Sequence, residues 1–139
     1  MMKVFLDTNI LLDYGLDREK ADFAGGILQL GKDGLIEVYA SYLSYANMGY
    51  ILRHHPVAER YELVRMMRQP VDVLPCDANQ LDAGLLTEVK DFEDMLQYQC
   101  AVANGCDVII TNNKKDFVEY SHKPIYTAAE YLNDLKKKG

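Results

Sequence analysis

Apolar residues in this chain come in short runs, separated by stretches where they recur at helical spacing. "KVFLD" (residues 3–7) is one such run and predicts a buried strand ending on a carboxylate. In "TNILLDYGL" after it, Asp7 or Thr8 can cap a helical turn. "REKADFAGGILQLGKDG" reads as a helix through about residue 31, ended by the Gly31–Gly34 stretch. "IEVYA" (36–40) predicts a second strand. In "SYLSYANMGYILRHH" (41–55), helical spacing puts Leu43, Asn47, Tyr50 and Ile51 on one face and Tyr42, Tyr45, Gly49 and Leu52 on another. Pro56 breaks that helix, and "VAERYELVRMMRQ" starts the next. "VDVLP" (71–75) is a third strand. Two helices follow, "DANQLDAGLLTEVK" and "DFEDMLQYQCAVANG", the second with Asp91 as N-cap and Gly105 at its C-terminus. "DVIIT" (107–111) and "KPIYT" (123–127) are a fourth and a fifth strand. "AAEYLNDLKKK" closes the chain as a helix with a frayed, solvated lysine tail.

Strands alternating with helices predict an α/β protein: a three-layer α/β/α sandwich around a mostly parallel sheet. A chain of 139 residues is expected to form one domain, 1–139, large enough for a sizeable core. No apolar run approaches the roughly 18–20 residues that span a membrane. The start "MMKVFLDTN" lacks the apolar stretch of a signal peptide, which favours the cytoplasm. Cys76, Cys100 and Cys106 are odd in number and form no CxxC pair, so they indicate core residues and neither a disulfide framework nor a zinc cluster. His54, His55 and His122 have no metal-ligand spacing. The net charge of −6 argues against a sequence-reading nucleic-acid module, which normally carries a basic face. It leaves room for an enzyme that meets phosphates through metal ions held by its acids.

The acids fall in a pattern. In open parallel sheets, ligands gather beyond the carboxyl ends of the strands. Asp7 ends the first strand, and "TNNKKDF" (111–117) follows the fourth at the same edge. Asp91, Glu93 and Asp94 start the helix that feeds the fourth strand. Carboxylates crowded in this way repel one another unless a cation is present, and a few hard oxygen ligands suit Mg²⁺ or Mn²⁺. Each segment also has a plainer reading. Asp7 can cap a helix; Asp91 to Asp94 resembles a capping box with aspartate at its last position; Asn112, Asn113 and Asp116 are common turn residues. Only their joint placement at one sheet edge favours a site. Arg60, Arg65, Arg68, Lys114 and Lys115 are candidates for phosphate contacts or a solvated face. Among ten tyrosines, Tyr42 and Tyr45 offer base stacking or packing.

"FLDTNILLDY", "DFEDMLQYQCAVANGCDVIITNNKKDF" and the α/β order between them make nearly the whole chain resemble a PIN domain, among them the short single-domain VapC-type toxins. The resemblance implies a metal-dependent nuclease, mostly of RNA, and hence hydrolysis of a phosphodiester. Its first acid matches Asp7, followed by Thr8 and Asn9. Its helix acid matches Asp94, with Glu93 beside it. Its late T-x-N-x-x-D-F segment matches Thr111, Asn113, Asp116 and Phe117. Asp7, Asp94 and Asp116 would ligate Mg²⁺ or Mn²⁺, and Asn113 would orient Asp116 or a water. One departure stands out: the family's S-x-x-T-x-x-E pattern is met by Ser41, Ser44 and Asn47, an amide where a glutamate is expected. Asn112 replaces a frequent arginine. The resemblance also implies RNA as substrate, a homodimer, and an antitoxin partner covering the acidic site.

Two rivals stay open. A degenerate PIN domain would bind RNA or a protein without efficient cleavage, because Asn47 makes the site less anionic. A phosphoryl-transfer domain also places an aspartate after its first strand. The D-x-D signature of haloacid dehalogenase-like phosphatases is absent, since Thr8 and Asn9 follow Asp7. The acidic pair of a receiver domain is absent too.

Overall fold

A computed structural model describes residues 1–138; Gly139, the last residue of the expected domain, lies outside them. Five strands form one sheet in which every pairing is parallel: β1 (Lys3–Leu6), β2 (Glu37–Ser41), β3 (Asp72–Leu74), β4 (Val108–Ile110) and β5 (Ile125–Tyr126), in the order β3-β2-β1-β4-β5. The helices are α1 (Thr8–Gly15), α2 (Ala21–Lys32), α3 (Tyr42–Ile51), α4 (Val57–Arg68), α5 (Ala78–Gly84), α6 (Phe92–Ala103), α7 (Lys115–Val118) and α8 (Ala128–Lys138).

Strand side chains alternate between faces, and here both faces are covered. Val4, Leu6, Val38, Ala40, Val108 and Ile110 enter one core with Ile10 to Leu12 of α1, Ile27 and Leu28 of α2, Met48 of α3, Met67 of α4 and Tyr131 of α8. Phe5 and Ile109 point the other way, into a smaller core with Met95, Tyr98, Cys100 and Ala101 of α6 and Phe117 of α7. Together these are the three expected layers. The chain builds outward from central β1 to β3, then returns to add β4 and β5 on the other side. The topological switch point therefore lies between β1 and β4, where ligand crevices form in such sheets.

Several element boundaries depart from the sequence expectation, each for a local reason. The third helix stops at Ile51. The residue before Pro56 is disfavoured in helical conformation, and the Arg60 guanidinium instead donates to the carbonyls of Leu52, Arg53 and His55. The second helix starts at Ala21, because Asp17 adopts a left-handed φ of 49° just ahead of it. The fifth helix ends at Gly84, where α5 approaches α6 so closely that an added Cβ would stand 3.0 Å from Leu96. "KKDF" is a short helix, α7, and not only loop. The final helix runs through Lys138, with Lys138 3.2 Å from Asp134, so the lysine tail is ordered into the last turn, where positive charge suits the helix dipole.

Candidate functional site

Asp7 leaves β1 at the switch point. Its backbone N–H still donates to Ile110 of β4 (3.0 Å), which holds the residue against the sheet. Its extended backbone makes it the N-cap of α1, and it is only 3% exposed. One carboxylate oxygen accepts the Thr8 N–H (2.8 Å); the other accepts the Thr111 hydroxyl (2.9 Å) from the end of β4. Burial pushes the Asp7 pKa up. The bonds from Thr111 and Thr8 oppose that push, and the charges of Asp91 and Asp116 add to it.

Helix α6 delivers the next acids from its N-terminus. Asp91 caps it by accepting the Asp94 N–H at 3.0 Å. The reciprocal half of a capping box is absent, and Asp94 turns its carboxylate elsewhere. Asp91, Asp94 and Asp116 each bring an oxygen into a cluster within 4.8 Å of one another. Asp94 is 6% exposed, and its Oδ2 is buried with no hydrogen-bond partner. Burial first, then the charges of Asp7, Asp91, Asp116 and Glu93, raise its pKa to about 8. Glu93, exposed at the rim, is raised as well, by partial burial and by Asp7 and Asp91. The buried Tyr120 hydroxyl also lacks a partner, and its pKa is raised by burial and then by the charges of Asp94, Asp91 and Asp116.

This donor set fits a small divalent cation. Three convergent carboxylates, one with a buried oxygen left unsatisfied, are costly for a protein to keep without a counter-charge. All the donors are hard oxygens, which suit Mg²⁺ or Mn²⁺. Asp7 stands outside the three-oxygen cluster, beside it, and acts on it through its charge.

The supporting residues are placed by a buried polar network. Gln97, one turn after Asp94 on α6 and fully buried, donates to Ser44 Oγ (3.1 Å) and Thr8 Oγ1 (3.3 Å), and accepts from Ser41. Thr8 and Ser44 share a hydrogen bond of 2.9 Å. Four segments, β1–α1, β2, α3 and α6, are thereby locked together beneath the acids. Thr111 closes the loop after β4 on itself: its hydroxyl accepts the Asn113 N–H (3.1 Å) while donating to Asp7. Asn9 accepts from Arg18 (3.4 Å). Asn47 lies one turn beyond Ser44 on the buried side of α3, and its amide nitrogen is enclosed without a partner. Tyr50 does not share that side. It is 67% exposed, with the Arg53 guanidinium 3.9 Å from its ring centroid.

Sequence reading took Asp91 for a cap, and its side chain does cap α6 while also entering the acidic cluster. Gln97 and Asp13 were missed. Gln97 left one trace, a polar residue on the buried face of α6, one turn after Asp94. Asp13 left a similar one, a carboxylate beside the apolar Leu11–Leu12 pair. The basic candidates for phosphate contacts are largely committed elsewhere. Arg60 caps α3, Arg68 donates to the Val71 carbonyl (2.9 Å), Arg65 lies over Tyr61, and Lys114 pairs with Glu130 (3.1 Å). Tyr45 packs and donates to the Met67 carbonyl, whereas Tyr42 is 67% exposed.

A family model described as PIN domain matches residues 3–115. No curated protein matches the chain. Among solved structures, a chain of VapBC2 from Rickettsia felis, bound to a DNA fragment from its promoter, superposes with a TM-score of 0.71 at 16% identity, covering 89% of this chain and 97% of that one. A chain of DNA-bound VapBC from Salmonella typhimurium gives 0.70 at 21% identity, covering 92% and 99%. One of VapBC-1 from nontypeable Haemophilus influenzae gives 0.69 at 18%, covering 93% and 99%. At these identities the likeness is one of fold.

Proposed function

This chain belongs to the PIN-domain family, and from that premise we propose that it is a divalent-metal-dependent endoribonuclease, one domain over 1–139, acting as the toxin of a toxin–antitoxin pair. The observation that carries this reading is the unpartnered, buried Asp94 oxygen inside the cluster of Asp91, Asp94 and Asp116. Those three would hold Mg²⁺ or Mn²⁺, with Asp7 alongside. When bound, such a cation supplies neutralisation of phosphate charge and a lower pKa for the attacking water.

The chain's own residues supply the rest. Thr8 and Thr111 hold the Asp7 carboxylate in one orientation by donating to each of its oxygens. Asn113 is fixed by its N–H on Thr111, leaving its side chain free to orient Asp116 or a water. Glu93, exposed on the first turn of α6, would support the acids without itself holding the cation. RNA is the proposed substrate, and the cytoplasm the proposed location. No helix among the described residues is long and apolar enough to cross a membrane. An antitoxin and a second copy of the chain are the proposed protein partners; the likeness in fold to chains of VapBC structures supports the first.

Asn47 favours a second reading. If this amide takes the place of the family's glutamate, the site has one charge fewer, and the domain would bind RNA or a partner without efficient cleavage. One experiment separates the two readings. Purified protein is incubated with single-stranded RNA in Mn²⁺, and Mn²⁺ binding is followed by calorimetry. Cleavage that EDTA stops supports the nuclease; Mn²⁺ binding and RNA binding without cleavage support the second reading. Absence of Mn²⁺ binding defeats the nuclease reading and favours the second.

A further inference from the structure

We infer that Asp13 is a positioning residue for the acidic cluster: its buried carboxylate latches the loop after β4, through Asn112, to α1 and Arg18. The inference rests on the divalent-cation reading of that cluster. Asp13 is 5% exposed and lies within α1 beside Leu11 and Leu12, which are both fully buried. It caps no helix. A carboxylate in such a place is costly unless it is paired and hydrogen-bonded, and its partners identify its work. One oxygen accepts from the Asn112 side-chain amide at 2.8 Å. The other faces the Arg18 guanidinium at 3.6 Å. The same Arg18 nitrogen donates to Asn9, two residues after Asp7.

Two features show that the chain is shaped to make these contacts. The Arg18 N–H returns to the Asp13 carbonyl at 3.0 Å, which closes the turn after α1. That turn passes through Asp17 at φ 49°, a left-handed conformation uncommon outside glycine that aspartate adopts more readily than most residues. On the other side, Asn112 sits between the two residues that matter most in its loop. Thr111 holds Asp7 and also binds the Asn113 N–H. Asp116 in turn donates its N–H to the Asn113 carbonyl (3.0 Å). A shift of Asn112 therefore moves the Thr111 hydroxyl and the Asp116 carboxylate together. Asp13 touches neither ion nor substrate in this account; it sets where two of the acids point.

The test is a double-mutant cycle of Asp13→Ala and Asn112→Ala, read by Mn²⁺ calorimetry and by hydrogen exchange of the amides at 113–117. Each single variant should weaken Mn²⁺ binding about tenfold, the usual effect of removing a group that orients a ligand, and should speed exchange in the loop. The double variant should be no worse than the worse single one, because both remove the same bond. Asp13→Asn, which keeps an acceptor for Asn112, should restore much of the affinity. If Asp13→Ala does not fold, Asn112→Ala at its half-buried position still decides, compared with Asp13→Asn. Unchanged loop exchange and Mn²⁺ affinity in Asn112→Ala, or additive effects in the cycle, overturn the inference while the cation reading stands. Wild-type protein that binds no Mn²⁺ overturns the cation reading, and this inference with it.

Discussion

Asp94→Asn isolates the electrostatic cost of the acidic cluster. In the folded protein Asp94 gives up its proton only near pH 8, against an ordinary value of 3.8. In the unfolded chain it is ionised above about pH 4. Between those values the folded state binds more protons than the unfolded state, so stability falls as pH rises through the window. At pH 8 the gap from the ordinary value is about 4 pH units; at about 1.4 kcal/mol each, the cost stays below about 6 kcal/mol as an upper bound. Water entry and relaxation around the cluster lower it, and an asparagine at this site still has an N–H to satisfy beside the Asp91 and Asp116 oxygens. We expect Asp94→Asn to be about 1–3 kcal/mol more stable than wild type in EDTA at pH 8, with the difference shrinking toward zero at pH 4. Urea denaturation at a series of pH values measures it. Saturating Mn²⁺ should reverse the order, because a ligand that binds only the folded state stabilises the protein that binds it better. A variant no more stable than wild type in EDTA at pH 8, or a difference that does not change with pH, would refute the reasoning.

Three further outcomes follow from the same geometry. Asp7→Asn or Asp116→Asn should lower Mn²⁺-dependent RNA cleavage by on the order of 100-fold while leaving the circular dichroism spectrum intact; undiminished cleavage would point to a contaminating nuclease. Thr111→Val removes the hydroxyl that opposes the upward pull on Asp7, so the acidic limb of the pH–rate profile should move to higher pH, and an unmoved limb would detach Asp7 from the reaction. Asn47→Glu should tighten Mn²⁺ binding and speed cleavage yet destabilise the metal-free protein, two effects of opposite sign; if neither appears in calorimetry and thermal melts, Asn47 is remote from the acids.

Much of the molecule follows from one-dimensional pattern. The apolar runs at 3–7, 36–40 and 107–111 became the three central strands of a parallel sheet with helices packed on both faces. Asp91 and Gly105 bounded α6 as their chemistry requires, Gly105 with φ 74°. Asp7, Asp94 and Asp116 were legible as candidates because a strand end, a helix start and a strand-following loop are local features. What no local pattern carries is the outcome of long-range packing. The return of the chain to β4 beside β1 placed Thr111 within 2.9 Å of Asp7, 104 residues away in sequence. The rotation of α6 about its axis turned Asp91 into a cluster member and sank Gln97 among Thr8, Ser41 and Ser44. The arginines of α4 looked available for phosphate, and Arg60 and Arg68 were drawn instead to nearby backbone carbonyls. Propensity and burial period act over one or two turns, and sequence reports them well. The partner of a buried polar atom is chosen by whichever distant segment the sheet order brings within about 3 Å, and that choice belongs to the tertiary structure.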